Sequence, residues 1–150
     1  MSTETIANIL ESFPARLQEI VREFQEASPQ ERVDYLLDFA ESLPELPDHL
    51  LSQRDQMEQV HECQTPVFVH VELADGHLRL YFDVPRESPT VRGYAAIVAE
   101  GLNGATPEQV WAIPDDLYRV LGLHEAISPL RLRGLHALIG YVKRQIRHLA

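Results

Sequence analysis

Cys63 is the one cysteine of the 150-residue chain, and it stands in the run Val60-His61-Glu62-Cys63-Gln64-Thr65-Pro66. A lone cysteine in an apolar stripe is a small buried hydrophobe. This one belongs to a polar connection that enters a strand, the kind of place where reactive groups sit more often than packing groups. The thiolate is the reactive form, so its charged neighbours matter. His61 would share a face with Cys63 if the segment is extended, as a candidate base or thiolate partner. Glu62 acts the other way, because an adjacent carboxylate disfavours a second negative charge.

Arg131 is the second residue that local rules do not explain. Ser128-Pro129 opens a helix, which puts Arg131 at the third helical position, where a capping box takes Glu or Gln and where the helix dipole disfavours a cation. As a bland surface residue it costs a few tenths of a kcal/mol. As a functional one it turns away from the helix to meet a thiolate, another anion or a partner carboxylate. Asp115-Asp116, after Pro114, reads as helix-start charge more readily than as an acid-base dyad. The seven histidines are scattered without helical ligand spacing, no Cys-x-x-Cys or His-Glu-x-x-His occurs, and the seven glycines form no phosphate loop. No metal site and no cofactor is expected from these residues.

Helices and one hairpin must position those groups. A Ser or Thr followed by Pro recurs four times, at Ser28, Ser88, Thr106 and Ser128, a cap with Pro at the first helical position. Ser28-Pro29-Gln30-Glu31 is a capping box, and Val33, Leu36, Leu37, Ala40 and Leu43 follow at helical spacing, which predicts a helix over 28–43. Ile9, Phe13, Leu17, Ile20, Val21 and Phe24 predict an N-terminal helical arm over residues 1–27, opened or kinked at Pro14. Val67, Val69, Val71 and Leu73, then Leu78, Leu80, Phe82 and Val84, alternate with polar residues around Asp75-Gly76, an antiparallel hairpin. A hairpin alone is marginal, so a third strand is expected near Met57 to His61. A helix then runs from Ser88-Pro89 to Gly101, placed for a left-handed cap, and the last helix buries Leu132, Leu135, Leu138, Ile139, Val142 and Ile146. Helices, antiparallel strands and helices in that order predict one α+β domain over residues 1–150, a small antiparallel three-stranded sheet with helices packed on it.

The charge is uneven. Residues 1–63 hold 14 acids and 4 bases, whereas residues 126–150 hold five bases (Arg131, Arg133, Lys143, Arg144, Arg147) and no acid, within a formal net charge of -10. That balance argues against nucleic acid as a partner. The basic end reads as a solvated face beside the C-terminal helix dipole or as a docking edge for an acidic partner. One cysteine excludes an internal disulfide, and no apolar run approaches the roughly 18 residues of a membrane span. A cytoplasmic protein is expected.

The cysteine run up to Val67 is joined by Leu43-Pro44-Glu45-Leu46, Val91-Arg92-Gly93, Thr106-Pro107-Glu108 and Ser128-Pro129-Leu130-Arg131-Leu132-Arg133-Gly134-Leu135. In this order they resemble the SufE family, including its CsdE relatives, over about residues 28–147. The resemblance implies the small α+β fold shared with IscU-type scaffolds. It also implies a sulfur acceptor for a cysteine desulfurase in iron-sulfur cluster assembly. By the same resemblance Cys63 takes the sulfur as a persulfide, Arg131 is the arginine of the Ser-Pro-x-Arg motif, and Glu87 is the acid before the third helix. The partners implied are a SufS-like desulfurase and an iron-sulfur scaffold as recipient. The family commonly has Gly before the cysteine and Ser two residues after it, where this chain has Glu62 and Thr65.

Two other classes compete. A cysteine-dependent hydrolase or transferase needs an oxyanion site and an orienting third group, neither of which is recognisable. A structural adaptor would keep Cys63 in its core.

Overall fold

Pro14 and the apolar spacing behind it open helix α1, Ala15–Glu26, in a computed structural model that describes residues 8–149. Leu17, Ile20, Val21 and Phe24 lie at i, i+3, i+4 and i+7 and are all fully buried. Each such side chain contributes about 1.5–3 kcal/mol of gross burial. This part of the expected arm is therefore a core helix, because its stripe has a complementary surface to cover. Residues 1–7 of the arm lie outside the described residues. Helix α2, Pro29–Ser42, starts from a closed capping box: the Glu31 N–H donates to Ser28 Oγ (3.2 Å) and the Ser28 N–H to Glu31 Oε1 (2.9 Å). A single turn, α3 (Asp48–Leu51), leads to the strands.

The sheet is three-stranded and antiparallel in the order β1-β2-β3. β2 (Phe68–Ala74) pairs with β3 (His77–Asp83) so that Val69 faces Phe82 and Val71 faces Leu80. Asp75 (φ 54°) and Gly76 (φ 79°) both take the left-handed conformation that a tight two-residue hairpin turn requires. β1 is two residues long, Glu58–Gln59, shorter than the expected Met57 to His61, because the chain turns away after Val60. The edge of β2 beyond it is closed by a side chain. Gln145 accepts from the Val71 N–H (2.7 Å) and donates to the Val69 carbonyl (3.0 Å), so the exposed ladder groups are satisfied. Leu73, expected in the buried stripe, is 40% exposed because it lies at the hairpin end, past the helices. The opposite face is not bare: Phe68 and Tyr81 pack on Leu46, Leu50 and Met57.

Helix α4, Pro89–Leu102, is the hub, buried at every position from Gly93 to Ala99 and packed by α1, α2 and β3. A Cβ on Gly93 would lie 2.2 Å from the Leu36 carbonyl oxygen, and one on Gly101 2.8 Å from Leu17 Cδ1. The expected left-handed cap at Gly101 is thus incorrect. That glycine sits inside the helix to admit α1, and the positive φ (85°) falls on Gly104. Arg92 ties the hub to its neighbours by donating to the carbonyls of Ala40 (2.8 Å) and Val84 (2.6 Å).

Two short helices, α5 (Pro107–Trp111) and α6 (Leu117–Val120), lead to α7, Pro129–Leu149. α5 begins with the second closed box, Thr106 with Gln109. α7 lays Leu135, Leu138, Ile139, Val142 and Ile146 on the core, against β2 and α4. Among the described residues no helix is long and apolar enough to cross a membrane.

Candidate functional site

The connection between β1 and β2 carries Cys63, and it is a turn. The Cys63 N–H donates to the Val60 carbonyl (3.2 Å), so the extended geometry that would put His61 and Cys63 on one face does not occur. His61 is exposed and does not line the hollow that Cys63 faces. Its backbone N–H donates to Tyr141 Oη (3.4 Å).

Cys63 is half-buried and packs against the edge of the main core. It borders a hollow of about 280 Å³ whose other walls include Thr65, Glu87, Val91, Arg131 and Gly134. Three elements meet there: the cysteine turn, the start of α4 and the start of α7. Cys63, Glu87 and Arg131, from three separate parts of the sequence, are brought together. Arg131 is the one basic residue among the lining residues, Glu62 and Glu87 the two acids. Among the described residues the Arg131 side chain has no hydrogen-bonding or ion-pair partner.

The thiol is protected at rest. Burial, and secondarily the Glu62 carboxylate, push the Cys63 thiol up to about 11. At pH 7 the resting thiol is therefore overwhelmingly protonated. Glu62 is itself held: Tyr141 Oη donates to Glu62 Oε1 (2.8 Å), and the Arg144 guanidinium lies 4.3 Å from the Tyr141 ring centroid. Burial and this bond to a carboxylate raise the Tyr141 hydroxyl above its ordinary value.

A second tie fixes the far side of the turn. Ser88, one of the four Ser/Thr-Pro helix starts, makes no side-chain cap bond. Its Oγ donates to Thr65 Oγ1 (3.0 Å) instead. A third constraint comes from α7, where a Cβ on Gly134 would lie 2.7 Å from Cys63 Sγ. A helix-interior glycine costs about 1 kcal/mol against alanine, and that cost is a readable sign of close packing. Tyr141 carries no such sign, being separated from Glu62 by most of the chain.

The remaining sequence candidates fall elsewhere. Asp115 pairs with Lys143 (3.1 Å) and Asp116 lies 4.0 Å from Arg119, so they form no dyad. His49 and His70 both meet Glu72 (2.7 and 3.2 Å) on the sheet surface. Among the described residues no group of three or more His, Cys, Asp or Glu side chains is placed to hold a metal ion.

Known proteins resemble this chain in sequence and fold. The family described as SufE, Fe-S metabolism associated domain, matches residues 18–146. An uncharacterized SufE-like protein of Mycobacterium tuberculosis is 46% identical over 137 residues, 91% of this chain and 94% of that protein. The SufE-like protein 1 of Arabidopsis thaliana, chloroplastic/mitochondrial, is 26% identical over 93% of this chain and 37% of its own length. A hypothetical protein from Thermus thermophilus, solved in solution, superposes with a TM-score of 0.80 at 40% identity, covering 91% of this chain and 97% of that one. A single cysteine on a turn before the hairpin, the Ser-Pro-x-Arg helix start beside it and a match over most of the length lead to one assignment: the chain belongs to the SufE family.

Proposed function

We propose that this chain is a sulfur acceptor, which takes sulfane sulfur from a PLP-dependent cysteine desulfurase onto Cys63 and passes it on for iron-sulfur cluster assembly. The observation that carries the reading is the hollow in which a half-buried Cys63 and an Arg131 with no partner among the described residues share one wall system. The desulfurase presents a persulfide on its own cysteine. Cys63 loses its proton and its thiolate attacks the terminal sulfur. A new S–S bond forms on Cys63, the donor S–S bond breaks, and the donor cysteine leaves as thiolate, so sulfur moves with no net redox change.

A thiol held at about 11 is a poor nucleophile at neutral pH. Docking must therefore relieve its burial or bring a cation closer, and Arg131 is the lining group able to offset thiolate charge. Glu87, which also lines the hollow, is an exposed acid for contacts with the donor protein. The resting shelter protects a sulfur-bearing cysteine from further oxidation. A single cysteine also leaves no second thiol to resolve the persulfide into a disulfide. The hydrolase alternative is not favoured, since no histidine is among the residues lining the hollow.

Incubation with a cysteine desulfurase and free cysteine, followed by intact-mass measurement, tests the reading. Wild type is expected to gain sulfur on Cys63 and Cys63→Ser to gain none. Undiminished loading of Cys63→Ser, or no loading of wild type, overturns it.

A further inference from the structure

The last helix carries five bases, and they are not equivalent. Lys143 pairs with Asp115 (3.1 Å), Arg144 pairs with Glu58, and Arg147 lies over the Trp111 ring (5.2 Å to its centroid). Arg131 and Arg133 have no carboxylate partner among the described residues. The first two turns of α7 form a ridge. Leu130, Arg131 and Gly134 line the Cys63 hollow on one side, while Leu132, Arg133 and His136 line a second groove, of about 420 Å³, on the other.

The far wall of that groove is Tyr118 and Arg119 of α6, and its floor is apolar, from Pro129, Leu132 and Ala137. Tyr118 Oη and His136 Nδ1, 3.2 Å apart, join the walls. Two acids border the groove: Glu62, which lines it and keeps its charge, and Asp116 beside Arg119. Glu62 accepts from Tyr141. Asp116 is 4.0 Å from Arg119 in a pair whose side chains are 36% and 53% exposed, a separation at which an exposed ion pair contributes little.

The groove presents two guanidiniums and an imidazole against one lining carboxylate, Glu62, over an apolar floor, on a chain of net charge -10. Guanidiniums are weakly hydrated and match a carboxylate with two parallel bonds. A long polyanion such as nucleic acid would meet the acidic N-terminal half as well, so a short acidic segment of a folded protein fits the charge pattern better. A segment seated there lies one helix width, roughly 10 Å, from the Cys63 hollow.

We propose that the groove of Arg119, Arg133 and His136 receives an acidic surface segment of the protein that delivers the sulfur, and so holds that protein's reactive cysteine over Cys63. The inference rests on the sulfur-acceptor reading and adds the docking site and its chemistry. Both arginines are surface residues, so their reversal leaves the core intact.

The test compares wild type with the double variant Arg119→Glu/Arg133→Glu. Sulfur loading is measured against acceptor concentration with a cysteine desulfurase and free cysteine, and separately with a low-molecular-weight persulfide as donor. The double variant is expected to raise the half-saturating concentration about tenfold, with a shallower salt dependence and the same rate at saturation. Loading from the small persulfide is expected at the wild-type rate. An unchanged half-saturating concentration overturns the docking groove and leaves the acceptor reading intact. Slow loading of the variant from the small donor also overturns it, by tracing the effect to the Cys63 hollow. Wild type that takes no sulfur from either donor overturns the acceptor reading itself.

Discussion

Four helices begin with the same two-residue device, yet they fall into two pairs. At Ser28 and Thr106 the third helical residue is Glu31 or Gln109, and both capping boxes close. At Ser88 and Ser128 the third residue is Val91 or Arg131, neither of which can close a box, and both line the Cys63 hollow. The first pair only starts helices. In the second, the position that would satisfy the helix end is given to the site, and the Ser88 hydroxyl is given to Thr65 of the cysteine turn. Local stability is given up where the site needs the side chain, which is the pattern expected of functional positions.

The sharpest way to break this contrast is Arg131→Glu, which converts the Ser128 start to the structural type. It is expected to gain about 0.5–1 kcal/mol of stability from the box and the dipole. Sulfur loading of Cys63 should fall about a hundredfold, the scale on which losing one charge-stabilising donor acts. A more stable protein that loads normally would refute the division.

Next in size is the pH profile of Cys63 alkylation. With the thiol pushed up to about 11, the rate is expected to keep climbing as pH rises towards that value, well past the midpoint of an ordinary cysteine. Glu62→Gln should move the midpoint down, since Glu62 is the secondary cause. The same shift has a stability consequence. The folded thiol keeps its proton after the unfolded one has lost it, so this stabilisation is intact below the ordinary cysteine value and is lost as pH rises through about 11. A profile that levels off near the ordinary value would mean that burial and Glu62 do not hold the thiol protonated at rest.

The structural caps come third. Ser28→Ala and Thr106→Ala are each expected to cost about 1 kcal/mol in denaturant unfolding and to leave sulfur loading unchanged. The smallest effect belongs to Ser88→Ala. With no cap bond to lose, it should change stability by less than about 0.5 kcal/mol. By freeing Thr65 it should speed alkylation of Cys63 severalfold at fixed pH. A full capping penalty at Ser88 would place it with the other pair.

Much of the fold was legible in the sequence because it follows from short-range rules. The Ser28 box, the Asp75-Gly76 turn and the alternation of Val69, Val71, Leu80 and Phe82 each need only a few neighbouring residues. Where the reading failed, a distant partner decided. Gly101 looks like a helix end from its neighbours but is a contact with Leu17, and the N-terminal stripe is a core face because α4 lies beneath it.

The site divides in the same way. Cys63 stood out by its polar surroundings and Arg131 by breaking a capping rule, and both signals are local. His61 would share a face with Cys63 only in an extended chain, and the turn at Val60 removes that geometry. Sequence alone determined the kinds of element, their order, the lone thiol and the uneven charge, since periodicity, capping and composition are properties of neighbouring residues. Only the tertiary structure decided that Arg131 and Glu87 border the hollow of Cys63, that Tyr141 holds Glu62, and that Arg119 and Arg133 line one groove. Those relations join residues more than a dozen positions apart, and their distances are set by how the helices pack against one another and the sheet.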